Sequence, residues 1–131
     1  MFRVGDVNDC YGYPPEKWNA AREKLTRALW IKAAAESQMS YSDGTQILRD
    51  LVPLEPHDSV FHQMLGQISI LEDAGGKGML SALVVHKYGD QQPGPGFFDL
   101  AAQLGRDVHD KEKCWIDEVK RLYEEAKTMK L

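Results

Sequence analysis

Histidines are the residues of this 131-residue sequence whose side chains are best suited to bind a metal ion or to transfer a proton. There are four of them, His57, His62, His86 and His109. A zinc site needs three or four converging ligands. Side chains three or four positions apart share a helix face, so the five-position spacing of His57 and His62 does not bring these two together. The sequence therefore predicts no metal site and no cofactor.

Ser81, His86 and Lys87 are the candidates for catalysis, since all three belong to one apolar segment, residues 79–87. A nuclease of the restriction-enzyme type carries an acid two residues before its lysine, and Val85 stands at that position here. Ser81 lacks the Gly-x-Ser-x-Gly turn that exposes a serine nucleophile. No catalytic residue is assigned, and we favour a protein without enzymatic activity.

Two loops rich in glycine are candidates for ligand binding. Gly75, Gly76, Lys77 and Gly78 offer backbone N–H groups that suit a phosphate. However, this loop follows a predicted helix, whereas a phosphate loop leads from a strand into a helix. Residues 93–96, Pro-Gly-Pro-Gly, are typical of a rigid turn that presents the next side chain. The candidate binding residues of the chain are Lys77, Ser81, His86, Lys87 and Phe97.

The composition is typical of a folded domain. Apolar residues make up 43% of the chain and charged residues 27%, and the net charge is −4. This charge does not show the basic excess of a protein that coats nucleic acid. We expect a leader over residues 1–14, where glycines and prolines interrupt regular structure, and one globular domain over residues 15–131.

Neither a signal peptide nor a membrane anchor is predicted. The first residues include Asp6 and Asp9 and contain no long apolar run. The longest apolar stretch, around residues 82–85, is too short to span a bilayer. Cys10 and Cys114 do not form a Cys-x-x-Cys motif, so we predict two reduced thiols. These features predict a cytoplasmic protein that has no membrane partner.

Four segments show the three-and-four spacing of apolar residues that indicates amphipathic helices. The first begins at Pro15 and runs to about Ser37, the second follows Ser40, and Asp58 caps the third. A last helix is predicted over residues 108–129, with Asp107 as its cap. The side chains predicted to be buried are Trp18, Leu25, Leu29, Leu48, Phe61, Leu65, Ile68, Leu83, Val85 and Trp115.

Residues 79–87 predict a short strand, since they are apolar and contain two valines. A strand needs a hydrogen-bonding partner, and residues 96–100 are the candidate. The run that ends at Gly105 favours a helix there, so we expect a brief extended piece at Phe97 and then a helix. The predicted class is helix-rich α+β with a winged-helix-like order of three helices, a short β-hairpin and a C-terminal helix.

Residues 79–87 (Met-Leu-Ser-Ala-Leu-Val-Val-His-Lys) and 93–101 (Pro-Gly-Pro-Gly-Phe-Phe-Asp-Leu-Ala), followed by Leu104 and Gly105, resemble a family of small bacterial proteins. With Tyr41, Ser42 and the last helix, the resemblance covers roughly the C-terminal two-thirds of the chain. It implies no particular activity. The order of Tyr41, the third helix, the strand and the Gly-Phe-Phe segment is also similar in layout to the DNA-binding domain of alkyltransferase-like proteins. Their Pro-Cys-His-Arg or Pro-Trp-His-Arg motif is absent here, so reactive-cysteine chemistry is not implied.

Charge is unevenly distributed along the chain. Residues 50–76, which include the third helix, contain five acids and no lysine or arginine. An acidic helix repels the phosphates of a DNA groove. Any binding of nucleic acid is therefore expected to be weak, and to use the first helix and the loop with Lys77, His86 and Lys87.

These observations favour a non-enzymatic binding or regulatory module whose partner is a protein or a nucleic acid. The alternatives are a small enzyme with a site around Ser81, His86 and Lys87, and a structural protein that self-assembles. We also predict a homodimer formed through a helix face, because Trp30 and Ile31 lie off the main apolar stripe of the first helix. The competing explanation is that a leader carrying Phe2, Tyr11 and Tyr13 covers Trp30 and Ile31 within one chain.

Overall fold

Five α-helices and a two-stranded sheet are formed by residues 6–87 and 92–130, which are the residues that the computed structural model describes. The helix-rich α+β class predicted from the sequence is confirmed. In chain order the elements are α1 (Pro15–Ala34), β1 (Met39–Ser40), α2 (Tyr41–Leu48), α3 (Ser59–Ala74), a 3₁₀ turn (Leu80–Leu83), β2 (Val84–Val85), α4 (Pro95–Gln103) and α5 (Lys111–Ala126).

Capping side chains explain where two of the helices begin. The Ser40 hydroxyl accepts a hydrogen bond of 3.1 Å from the Asp43 amide at the start of α2. At α5 the carboxylate of Asp110 accepts a bond of 3.1 Å from the Lys113 amide. Helix α5 therefore begins at Lys111, and the predicted cap at Asp107 is wrong because Asp110 takes that role.

The β element is a parallel pair, and the predicted hairpin is wrong. Met39 lies opposite Val84 and Ser40 opposite Val85, so β2 pairs with a strand that precedes α2. Helices α2 and α3 form the crossover that parallel strands require. The strand predicted over residues 79–87 is limited to its two valines, because the residues before them form the 3₁₀ turn.

Side chains replace the strand partner that residues 79–83 were expected to need. The Met79 amide donates a hydrogen bond of 2.9 Å to the Glu118 carboxylate, and the Ser81 amide donates one of 3.0 Å to the Ser69 hydroxyl. Both amides are buried and satisfied in this way. An apolar segment can therefore turn tightly in the interior without a neighbouring strand.

Residues 96–100 are helical throughout, as part of α4. The extended piece predicted at Phe97 is wrong, whereas the predicted helix is confirmed. Pro95 stands in the first turn of α4, where its missing N–H costs no helical hydrogen bond. Gly105 follows the helix with a φ of +85°, a conformation that favours glycine.

The apolar core draws on all five helices and on the 3₁₀ turn. Every side chain predicted to be buried is buried, with the exception of Trp115. Trp115 is half-buried, and its indole N–H donates a hydrogen bond of 2.9 Å to the carbonyl of Ala82. The largest fully buried side chains are those of Trp18, Phe61, Leu25, Leu29, Leu48, Met64, Ile68, Met79, Leu80, Leu83, Leu100 and Leu122.

The segment before α1 packs on Trp18. The ring centroids of Tyr11 and Tyr13 lie 5.3 Å and 6.0 Å from that of Trp18. In the alternative to the predicted dimer, these tyrosines and Phe2 would cover Trp30 and Ile31, and the part of it that concerns Phe2 lies outside the described residues. Trp30 is nevertheless buried, with 3% of its surface exposed. Among the described residues, no helix is both long and apolar enough to cross a membrane.

Candidate functional site

Three aromatic side chains from different parts of the chain meet beside the sheet. Tyr41 is the first residue of α2, His62 lies in the first turn of α3, and His86 follows β2. The centroid of the Tyr41 ring lies 5.2 Å from that of His62 and 5.0 Å from that of His86. We call these three residues the tyrosine–histidine cluster.

The cluster holds both ends of the loop that joins β2 to α4. The Tyr41 hydroxyl accepts a buried hydrogen bond of 2.8 Å from the amide of Gly94. At the other end, the His86 amide donates a bond of 3.0 Å to the carbonyl of Gln92. A single tyrosine therefore connects the start of α2 with the residue that precedes α4.

Burial shifts the pKa of two members of the cluster, Tyr41 and His62. It raises the pKa of the Tyr41 phenol above its ordinary value, although the hydrogen bond from Gly94 acts in the opposite direction. Burial also lowers the pKa of His62, and the neighbouring His86 lowers it further. At neutral pH Tyr41 is consequently an uncharged phenol and His62 an uncharged imidazole.

A small cavity of about 20 Å³ adjoins the cluster, and it has room for roughly one water molecule. Two of the sequence-predicted residues, Ser81 and Phe97, reach it, while a third, His86, contacts Tyr41 on its wall. The structure thus brings these three together, although the space between them is smaller than a substrate needs. The cavity is lined by Tyr41, His62, Leu65, Gly66, Ser81, Gly96, Phe97 and Leu100.

Ser81 is engaged in holding the 3₁₀ turn against α3. The Ser69 hydroxyl donates a buried hydrogen bond of 2.6 Å to the Ser81 hydroxyl, and it accepts the bond from the Ser81 amide. Through these two bonds, Ser69 and Ser81 serve to pack the 3₁₀ turn against α3. The described residues also contain no group of three or more His, Cys, Asp or Glu side chains that could hold a metal ion.

The loop that contains Lys77 lies against α5 and takes no part in the cluster. The Gly78 amide donates a hydrogen bond of 2.8 Å to the Glu125 carboxylate, and Arg121 donates one of 3.0 Å to the Gly76 carbonyl. Because carboxylates of the same chain occupy the amides of Gly78 and Met79, these amides cannot also cradle a phosphate. Lys87 is exposed at the end of the sheet.

A second concave surface, larger than the cavity, lies between α1, α3 and the residues that follow α5. It encloses about 510 Å³, within the range of pockets that bind ligands. Its apolar lining comes from Trp30, Ile68, Leu71 and Met129. Charged and polar side chains complete the lining of this surface, which we call the α1–α3 groove: Arg22, Glu23, Thr26, Arg27, Glu72 and Lys130.

Sequence reasoning missed Tyr41 and His62 as members of a cluster. From the sequence, His62 was considered as a metal ligand together with His57, whereas the side chain is half-buried against Tyr41. The two residues are far apart in sequence, and their contact depends on how α2 packs on α3. The groove was also missed, although its α1 positions 22, 23, 26, 27 and 30 follow helical spacing.

Comparisons of the chain with protein-family models, with curated proteins and with solved structures gave no match.

Proposed function

We propose that the protein is a non-enzymatic binding module that engages a protein surface through the α1–α3 groove. The observation that carries the proposal is the size and lining of the groove, about 510 Å³ over an apolar floor. Leu71, which lines it, keeps 43% of its surface exposed. A large exposed apolar side chain within a concave, partly charged surface is typical of a protein-binding site.

The alternative of a small enzyme around Ser81, His86 and Lys87 receives less support. Such an enzyme would need space for a substrate beside His86, and the cavity there has room for about one water molecule. The Ser81 hydroxyl bonds with that of Ser69. A neutral imidazole at His62 is suited to accept a proton, but a substrate has no room to approach it.

Nucleic acid is also less favoured as the occupant of the groove. Two acidic side chains, Glu23 and Glu72, line it beside the cations. Phosphate backbones are bound by an excess of lysine and arginine and are repelled by carboxylates. The apolar floor offers nothing to a phosphate, whereas it suits the apolar side chains of a protein partner.

A cytoplasmic location forms part of this proposal. Cys10 and Cys114 are both free, which suits a reducing compartment. Burial raises the pKa of the Cys114 thiol, so this cysteine is held in its unreactive thiol form.

Peptide selection tests the proposed module. A phage-displayed library of helix-forming peptides is selected against the wild-type protein, and the binders are then measured against Leu71→Asp. We expect peptides with apolar residues at helical spacing that bind Leu71→Asp at least about tenfold more weakly. Ile116→Asp on α5 is the matched control, because Ile116 does not line the groove, and binding to it should be unchanged.

The binding position is measured by amide chemical shifts. Perturbations should centre on Trp30, Ile68 and Leu71. Selected peptides that bind Leu71→Asp as tightly as the wild type, or that perturb the tyrosine–histidine cluster instead, would contradict the proposal. Binding of a labelled DNA duplex in the groove at physiological salt would replace the protein partner with a nucleic acid.

A further inference from the structure

We infer that the protein surface which fills the α1–α3 groove is a second copy of this chain, with Ile31 of one copy seated beside Leu71 of the other. The inference rests on the proposed function of the groove as a protein-binding surface. It names the occupant of the groove and the side chains that meet across the interface.

Ile31 and Leu71 are the two large apolar side chains that remain exposed within residues 6–87 and 92–130. Their exposed fractions are 48% and 43%. Leu71 lies inside the groove, whereas Ile31 does not line it. Because Ile31 directly follows Trp30 on α1, its side chain is turned about 100° away from the groove floor. One chain therefore carries both an apolar hollow and an apolar projection beside it.

A twofold axis allows such a projection and hollow to form two equivalent contacts between the copies. In a symmetric dimer each patch contacts the same patch of the partner, so a projection and a hollow on one chain are both filled. Here the projection is Ile31 and the hollow is the groove around Leu71. The two contacts are equivalent, and each removes one exposed apolar side chain from water on either copy.

The charges around the groove are also suited to a copy of the same surface. Its lining carries three cations, at Arg22, Arg27 and Lys130, and two acids, at Glu23 and Glu72. A surface of one sign repels its own copy, whereas a surface of mixed sign can match itself after a twofold rotation. Glu23, Arg27 and Lys130 are exposed and enter none of the ion pairs between described residues.

Helix α5, the other long charged helix, offers a poorer surface for self-association. Four of its charges pair within the helix, Lys113 with Asp117 at 2.6 Å and Arg121 with Glu125 at 3.0 Å, whereas Lys111, Glu112 and Lys120 are exposed and enter none of the ion pairs between described residues. Charges that are satisfied locally gain little from a partner. Among the described residues, α5 also has no large apolar side chain that remains exposed, whereas Ile31 lies on α1 and Leu71 on α3, and this contrast places the interface on α1 and α3.

Sedimentation equilibrium over a micromolar to millimolar series tests the inference with the full chain. We expect the wild type to dimerise, and Ile31→Glu and Leu71→Glu each to raise the dimer dissociation constant by about tenfold or more. Ile116→Glu on α5 is the matched control and should dimerise like the wild type. Thermal unfolding of the monomeric variants that is cooperative and matches that of the wild type at a concentration below its dimer dissociation constant shows that they are folded.

Cross-linking tests the contact itself. In a background of Cys10→Ser and Cys114→Ala, a chain with Ile31→Cys is mixed with a chain that carries Leu71→Cys, and the mixture is oxidised. The inference expects a covalent dimer between the two different chains, well above the level given by Ile116→Cys mixed with Leu71→Cys. A dimer that is insensitive to Ile31→Glu and gives no such cross-link would overturn the inference.

The proposal that the groove binds a protein and the inference that a second copy fills it can be contradicted separately. Ile31 lies outside the groove lining, so Ile31→Glu removes the dimer while leaving the groove for selected peptides. A wild-type chain that stays monomeric at millimolar concentration, yet binds those peptides in the groove, contradicts the second copy and leaves the binding module standing. A monomer that binds no peptide there contradicts both.

Discussion

The indole N–H of Trp18 donates a hydrogen bond of 2.9 Å to the side-chain oxygen of Gln67, and both residues are fully buried. The same oxygen accepts a bond of 2.7 Å from Arg22. The Gln67 side-chain nitrogen donates to the carbonyls of Asp6 and Asp9, at 3.2 Å and 2.9 Å. One amide on α3 therefore joins α1 to the segment before it.

Replacing Gln67 with leucine should destabilise the fold and loosen the N-terminal segment. The change removes the acceptor of the buried Trp18 indole and the donor to two carbonyls. An unsatisfied buried polar group costs about 1–3 kcal/mol, so we expect a loss of about 3 kcal/mol in the free energy of unfolding by urea.

Gln46→Leu is the control for this prediction. Gln46 is exposed on α2, and its replacement should change the free energy of unfolding by less than about 0.5 kcal/mol. Amide hydrogen exchange should become faster at Tyr11 and Tyr13 in Gln67→Leu alone. Equal stability of the two variants would mean that the Gln67 bonds do not hold the segment to α1.

Tyr41→Phe should release the loop that joins β2 to α4. The phenylalanine keeps the ring contacts with the two histidines but leaves the buried Gly94 amide without its acceptor. We expect a loss of roughly 1–2 kcal/mol in the free energy of unfolding and faster hydrogen exchange at the Gly94 amide.

Tyr123→Phe provides the matched change on α5, since the Tyr123 hydroxyl has no hydrogen-bond partner in residues 6–87 and 92–130. Its effect on stability should be small. If Gly94 exchanged at the wild-type rate in Tyr41→Phe, the hydroxyl would not be what holds the loop.

Local rules predicted the helices well because their signals lie within a few residues. The cap at Ser40, the proline at the start of α4 and the glycine after it each act over one turn. The strand prediction over residues 79–87 was wrong for the opposite reason, because its outcome depends on residues that are distant in sequence. Whether residues 79–83 pair with a strand depends on Glu118 and Ser69, which the fold brings from distant positions.

The same contrast between local signals and distant contacts applies to the candidate sites. His86, Ser81 and Phe97 could be proposed from their own segment. Their partner Tyr41 could not, because nothing near Tyr41 in sequence records its contact with Gly94. The groove likewise requires the packing of α1 on α3, which places Trp30 near Leu71. Helical spacing identifies an apolar face but does not indicate which part of it stays uncovered.

Lowering the pH should reduce the free energy of unfolding through the protonation of His62. Its pKa in the folded protein lies below the ordinary value of 6.5, because burial and the nearby His86 disfavour the charged form. The unfolded chain therefore binds a proton at higher pH than the folded chain does. This contribution to stability is complete above the unfolded pKa and is lost as the pH falls through the pKa of the folded state.

Urea unfolding measured at several pH values between neutral and mildly acidic conditions checks this prediction. The wild type should lose stability as the pH falls, and His62→Gln should show a smaller loss over the same range. His57→Gln is the control, because the His57 side chain is exposed. A slope that is the same in wild type and His62→Gln would assign the acid sensitivity to other groups.

Glu118 is the centre of a buried charged network. Its carboxylate accepts hydrogen bonds of 2.8 Å from Arg106 and 2.9 Å from the Met79 amide. Arg106 also forms an ion pair with Asp73 on α3. The Glu118 side chain is only 8% exposed and that of Arg106 15% exposed, whereas that of Asp73 is 30% exposed. The network therefore joins α5, α3 and the segment that follows α4, with its most buried charge at Glu118.

Replacing Glu118 should lower the free energy of unfolding, because its carboxylate accepts hydrogen bonds from both Arg106 and the Met79 amide. Glu118→Ala removes the acceptor of the Arg106 Nε and of the Met79 amide, while Asp73 remains paired with Arg106, and we expect a loss of about 2–4 kcal/mol in the free energy of unfolding. Once Arg106 is replaced by methionine, the further change to alanine at Glu118 should cost less, since no buried cation remains. A double-mutant cycle of urea unfolding measures this coupling.

Asp73→Asn, which neutralises the more exposed acid, should lower the free energy of unfolding less than Glu118→Ala does, because water can still reach that end of the network. Additive losses in the cycle would show that Glu118 stabilises the fold through the Met79 amide alone.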